Sequence, residues 1–222
     1  MATLFLVSTP IGNLADITLR AKEVLATVDF IICEDTRKTG FLLQKLGFKS
    51  PPLYPFYEEN ESRQLLPLLT KLQSGQSGAL VSDAGTPTLA DPGYKLVREC
   101  LKSKVTVVPI PGPSAALAAL VASGLPTDKF IFFGYLPEKI GKKEKLLRQF
   151  AVLPATIIIY EAPHRLVKTL KFIQQVLGDL DLVIANELTK KFEKFYRDKT
   201  STLVKLFETH KPRGEYVILF HS

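Results

Sequence analysis

An open α/β fold built as two sheet domains is what this sequence predicts. Three features predict it: short apolar runs that stop at Gly/Pro-rich turns, helix-like stretches between those runs, and an abrupt change of composition near residue 110. In the first half the predicted strands are Leu4–Ser8, Phe30–Cys33, Gly78–Ser82 and Val105–Pro109, because each is apolar, rich in branched or aromatic residues and too short for a buried helix. Helical spacing of apolar positions places helices at Leu19–Thr27, Arg63–Leu72 and Gly93–Leu101.

The segment Pro109-Ile110-Pro111-Gly112-Pro113-Ser114 breaks this alternation, and an Ala-rich helical stretch, Ala115–Ser123, follows it. The domain junction is therefore expected here, dividing the chain into 1–112 and 113–222. Beyond it, strands are predicted at Phe130–Gly134, Ala155–Tyr160, Leu182–Asn186 and Tyr216–His221, with helices at Lys142–Phe150 and Arg165–Leu177.

Composition limits the function classes. With 222 residues, 46% of them apolar and 23% charged, the chain has the balance of a globular protein, with room for two small cores. No apolar run approaches the length of a membrane span, and the apolar start Met1–Val7 lacks the basic lead of a signal peptide, so it reads as a buried strand in a soluble protein. Cys33 and Cys100 stand far apart without Cys or His at metal spacing; free buried thiols and no metal are expected. The net charge of +7 favours an anionic partner, although a basic surface that serves solubility alone explains the same number.

The strand ends carry the chemistry. Ligands of open α/β sheets bind at the carboxyl ends of strands, so the loops Ser8–Thr18, Ser82-Asp83-Ala84-Gly85-Thr86-Pro87 and Pro109–Ser114 face a candidate site. Gly85 lets backbone approach a ligand, Asp83 accepts hydrogen bonds, and the amides at Ser114 suit a carboxylate. Tight turns, capping by Asp16 or Thr18, and a rigid connector account for the same three segments. Neither phosphate-cradling glycine motif occurs. Further strand ends carry Glu34-Asp35-Thr36-Arg37, Glu161-Ala162-Pro163-His164-Arg165 and Asn186-Glu187-Leu188-Thr189-Lys190. Each suits acid–base work or RNA contact, and each is equally explained by a capped helix start or an ion pair. His164 is a neutral-pH base by residue type, though a lone histidine is more often structural, and Arg165 either forks onto a phosphate or solvates the helix surface. The Lys-rich stretches Gly141–Lys145 and Lys190–Lys194 read as solvated faces or as contacts to an RNA backbone.

Taken in order, these segments resemble the tetrapyrrole methylase superfamily of S-adenosylmethionine enzymes, and within it a branch that modifies ribosomal RNA. The resemblance is carried by Thr9-Pro10-Ile11-Gly12-Asn13-Leu14, Glu34–Arg37, Val81–Pro87, Asp91-Pro92-Gly93-Tyr94, Pro109–Ser114, Gly134-Tyr135-Leu136-Pro137, Tyr160–Arg165 and Glu187–Lys190. It implies the class III methyltransferase fold, two α/β domains with the cofactor in the cleft between them. It further implies 2′-O-methylation of a cytidine ribose in the decoding region of 16S rRNA, by a cytoplasmic homodimer acting on rRNA or the small subunit. Cofactor-lining residues implied by it are Pro10, Asp83, Ala84, Gly85, Thr86, Ser114 and Ala115, with Tyr160, Glu161 and Leu188.

A ribose hydroxyl is a weak acid, so the reaction asks for a proton acceptor and for positive charge near the developing alkoxide. The pool for those tasks is Glu34, Asp35, Arg37, Glu161, Glu187 and Lys190, and the expected RNA contacts are Asn13, Arg37, His164, Arg165 and Lys190. Where relatives carry histidines before an Asn-Glu pair, this chain has Tyr57-Glu58-Glu59 before Asn60-Glu61. Two further readings are a tetrapyrrole methyltransferase, which shares the fold and cofactor loops, and a non-catalytic RNA-binding assembly factor.

Overall fold

The structure, a computed structural model, describes residues 2–221 and divides into two compact units that meet between Ser114 and Ala115, two residues beyond the expected junction. The first unit runs β1 (Thr3–Val7), α1 (Leu19–Thr27), β2 (Phe30–Cys33), α2 (Thr36–Lys45), β3 (Leu53–Pro55), α3 (Glu61–Gln73), β4 (Gly78–Val81), α4 (Tyr94–Lys102) and β5 (Thr106–Ile110). All five strands are parallel, in the order β3-β2-β4-β1-β5. Their carboxyl ends therefore emerge on one edge.

Every residue of β2 and β4 is buried, as expected of central parallel strands covered on both faces. Side chains alternate between the two layers. Phe30, Ile32, Leu80 and Leu4 pack with Leu68 and Leu72 of α3 and Leu96 of α4, while Ile31, Cys33, Ala79, Val81 and Val7 pack with Ala21 and Leu25 of α1 and Leu43 of α2. Each fully buried Leu or Ile contributes about 1.5–3 kcal/mol relative to exposure. Cys33 and Cys100 are free buried thiols, and burial pushes both up to about 11.

The second unit comprises α5 (Ala115–Val121), β6 (Phe130–Tyr135), α6 (Ile140–Phe150), β7 (Thr156–Glu161), α7 (Leu166–Leu177), β8 (Asp181–Asn186), β9 (Lys194–Lys199), α8 (Thr200–Thr209) and β10 (Tyr216–His221). Its sheet has the order β6-β7-β10-β8-β9, with only β6 and β7 parallel. One face carries the main core, where Ile157, Ile159, Ile184 and Ile218 meet Leu147, Leu170 and Phe207 from α6, α7 and α8. The short α5 packs against β7 and β10. Among the described residues no helix is long and apolar enough to cross a membrane.

Candidate functional site

In the first unit, the loops that leave β1, β4 and β5 are tied into one structure. Thr9 and Gly85 exchange backbone hydrogen bonds of 2.9 and 3.0 Å, and the Thr9 hydroxyl donates to the Ser82 carbonyl at 3.2 Å. The Thr86 hydroxyl donates to the Pro113 carbonyl at 3.1 Å, which leaves its oxygen to accept from Ser8, also at 3.1 Å. Two glycines permit this approach. Gly85 has φ +85°, and a Cβ on Gly112 would lie 2.9 Å from the Ser8 Cβ.

The β2 and β4 ends are joined by charge. Asp83 accepts from the Asp35 amide at 3.1 Å and from the Lys38 ammonium at 2.7 Å. Asp35 caps α2 through the Arg37 amide at 2.8 Å and takes the Arg37 guanidinium on both oxygens, at 3.0 and 2.7 Å. That pairing holds the Asp35 carboxyl well below the usual carboxylate range. Glu34 is shifted the other way, raised by burial and by the neighbouring Asp83. Burial, with Glu34 close by, also pushes Asp91 up to about 6 against a hydrogen bond from Ser82 that lowers it. Asn13, an expected RNA contact, caps a short 3₁₀ turn by accepting from the Ala15 amide at 3.0 Å, and Thr18 caps α1 through Ala21 at 3.1 Å.

The sequence reading did not single out Asp91 or Lys38 as site residues. Asp91 had a signal, since it lies in one of the segments that carry the resemblance. For Lys38 the contact to Asp83 spans 45 residues and only the fold creates it. The Asn60-Glu61 pair that follows Tyr57-Glu58-Glu59 is architectural: Asn60 accepts from the Tyr57 amide at 2.8 Å and donates to the Pro55 carbonyl at 2.9 Å, while Glu61 is buried and paired with Lys95 at 2.7 Å.

In the second unit, Glu161 is fully committed. Its buried carboxylate accepts from the Thr169 hydroxyl at 2.5 Å, from the Ala162 amide at 2.9 Å and from Arg165 at 3.1 Å. Arg165 also donates to the Leu136 carbonyl at 2.7 Å, so it reaches across to the end of β6, whereas His164 is exposed. The Tyr160 hydroxyl accepts from the Ala116 amide at 3.2 Å, next to Ala115 at the start of α5. After β8, Glu187 accepts from Lys190 at 2.9 Å and from the Glu215 amide at 3.1 Å. Lys190 also reaches Glu215 at 2.9 Å; burial lowers its pKa, but these two carboxylates win and raise it. Leu188 is buried, and the Thr189 Oγ1 is a buried oxygen without a hydrogen-bond partner.

Backbone strain marks two of these loops. Thr88 and Ala90 follow β4 at φ +72° and +65°, and Glu187 and Thr189 follow β8 at +51° and +65°. Non-glycine residues in the left-handed region cost about 1–3 kcal/mol each and cluster where ligands are held. The structure thus gathers Pro10's loop, Asp83, Ala84, Gly85, Thr86, Glu34 and Asp35 at one edge of the first sheet, and Glu187, Leu188 and Lys190 in one strained turn of the second.

The model of the tetrapyrrole (corrin/porphyrin) methylases matches residues 3–204. Curated relatives named ribosomal RNA small subunit methyltransferase I share 47% identity over 99% of the chain in Synechocystis, covering 78% of that protein. In Escherichia coli O157:H7 the figures are 47%, 97% and 76%, and in Thermotoga maritima 44%, 99% and 98%. Among solved structures, the fold is shared with diphthine synthase at a TM-score of 0.77 and 15% identity, over 99% of this chain and 90% of that one. It is also shared with the uroporphyrin-III C-methyltransferase of Thermus thermophilus complexed with S-adenosylhomocysteine, at 0.67 and 20%, over 98% and 96%. With two α/β sheets of this topology, a family match across both units and relatives aligned over nearly the full chain, this chain belongs to the tetrapyrrole methylase family, on the branch of proteins called ribosomal RNA small subunit methyltransferase I.

Proposed function

We propose that this chain is an S-adenosylmethionine-dependent methyltransferase of 16S ribosomal RNA that acts on the 2′-hydroxyl of a cytidine ribose in the decoding region, as a cytoplasmic homodimer. The observation that carries the reading is the identity of 41–47% to relatives of that name over nearly the whole chain. The 2′-hydroxyl and the cytidine rest on the motif resemblance.

The first unit's residues suit a cofactor that carries a sulfonium, an amine and a carboxylate. Gly85 and Gly112 keep the loops free of side-chain bulk, and Asp83, Glu34 and Asp91 supply negative charge near a cationic group. Pro10, Asp83, Ala84, Gly85 and Thr86 are assigned to hold it. In the second unit, Leu188 and Ala115 offer apolar contact, and the unpartnered Thr189 hydroxyl oxygen offers a hydrogen-bond position. When bound, the cofactor supplies an already activated methyl group.

The chain's own task is to place the acceptor hydroxyl and remove its proton. We assign that step to Glu34, whose raised pKa makes it the stronger base of the neighbouring pair, whereas Asp35 is occupied by Arg37. Lys38 and Arg37, both at the start of α2, supply positive charge for the developing alkoxide. Glu161 is assigned a structural role and Lys190 a positioning role through Glu187 and Glu215.

The test is transfer of labelled methyl from S-adenosylmethionine to small subunits purified from cells lacking the endogenous activity, followed by mapping of the modified nucleotide. A single 2′-O-methylcytidine in the decoding region is expected. Transfer to a tetrapyrrole instead, or tight salt-sensitive RNA binding without transfer, would replace this reading with the corresponding alternative.

A further inference from the structure

We propose that Phe192, flanked by Lys191 and Lys194, is a stacking platform for an unpaired base of the RNA substrate; the inference rests on the RNA reading above and adds a binding element to it. Phe192 is 73% exposed, among the most exposed large apolar side chains of the described residues. It occupies the turn closed by the Glu193 amide on the Lys190 carbonyl at 3.0 Å, a position where small polar residues or glycine are favoured. An aromatic ring there gains no burial from the fold.

The mount is stiff. The Glu193 carboxylate accepts from the Thr189 amide at 2.6 Å, the Lys190 amide donates to the Glu187 carbonyl at 3.0 Å, and Glu187 and the Glu215 amide close the base of the turn. The ring is thus presented by a fixed loop, which reduces the ordering cost of contact with a ligand. Phe41 and Tyr94 are also exposed rings with a cation over them, Lys45 and Arg98, but each of these pairs lies within one helix, whereas Phe192 stands on a turn.

Charge identifies the occupant. Lys190 is paired with Glu187 and Glu215, and the Glu193 carboxylate is held on the Thr189 amide. Lys191 Nζ stays 5.6 Å from the Phe192 centroid, and Lys194 Nζ lies 4.7 Å from the ring of Tyr196. A single exposed ring with one cation over it is too small an area for a stable protein interface. It matches the recurrent single-strand solution, in which an aromatic face takes a base and the neighbouring cations take phosphates.

Methyl transfer to small subunits would be measured for Phe192→Ala, Phe192→Leu and Phe192→Trp. Phe192→Ala is expected to raise KM for the subunit about tenfold, with kcat and the Kd for S-adenosylmethionine unchanged. Phe192→Trp should restore KM, and Phe192→Leu should not, because leucine keeps apolar area but lacks a π face. An unchanged KM in Phe192→Ala, or full rescue by leucine, overturns the platform; rescue by leucine would point to a protein contact. Quenching of 2-aminopurine in an unpaired RNA oligonucleotide separates this from failure of the methylation reading. Quenching by wild type but not by Phe192→Ala keeps the platform even without methyl transfer, and equal quenching by both removes it.

Discussion

Asp91 and Asp35 are carboxylates on loops of the same unit whose surroundings push them in opposite directions, up to about 6 for Asp91 by burial and Glu34, and down for Asp35 by Arg37. The sign matters for stability. A carboxyl raised above its ordinary 3.8 favours the fold in its protonated form, so its contribution is intact below that value and is lost as pH rises through about 6. Asp91→Asn should therefore leave the urea midpoint unchanged near about pH 4 and raise it at about pH 7.5. Equal midpoints at both would show that Asp91 is not strained by its surroundings. For Glu34, removing the proton acceptor should lower kcat about 100-fold or more in Glu34→Gln. Single-turnover transfer at wild-type rate would move the proton-acceptor role to another member of the pool.

At the scale of elements, the turn after β8 depends on Gly214, whose φ of +80° is left-handed and whose missing Cβ leaves the space filled by the Glu187 carboxylate. Gly214→Ala should cost about 1–3 kcal/mol in urea denaturation, and adding Glu187→Gly should recover part of that loss because both changes act on one contact. Strict additivity would deny the coupling. The same turn illustrates what the sequence could convey. Its strand, β8, was legible as an apolar run, but β9, Lys194–Lys199, was not, because its charged side chains leave no apolar alternation and only pairing with β8 makes it a strand. Helix α2 was also missed, since Gly40 and its polar first turn mask a short apolar stripe carried by Thr39 and Leu43. The strand ends of the candidate site were read from Gly/Pro punctuation, while the Lys38–Asp83 and Thr86–Pro113 contacts required the strand order.

For the whole molecule, the charge of +7 gives RNA binding a long-range component whose weight can be measured. The logarithm of the RNA binding constant should fall linearly with the logarithm of salt concentration, and replacing Lys191 and Lys194 together by alanine should flatten the slope by about two. An unchanged slope would remove these lysines from the phosphate contacts. The two sheets also differ in how sequence order maps onto space. β1 lies inside its sheet between β4 and β5, which both follow it in sequence, and β10 lies inside the other between β7 and β8, which both precede it. On a ribosome, the first sheet can be completed while the second half is still being translated. The second sheet must wait, with β7 and β8 lacking the strand that joins them, until β10 emerges. A nascent chain stalled before Tyr216 should thus expose apolar strand edges to chaperones and proteases, which makes the emergence of β10 the step that closes the second core.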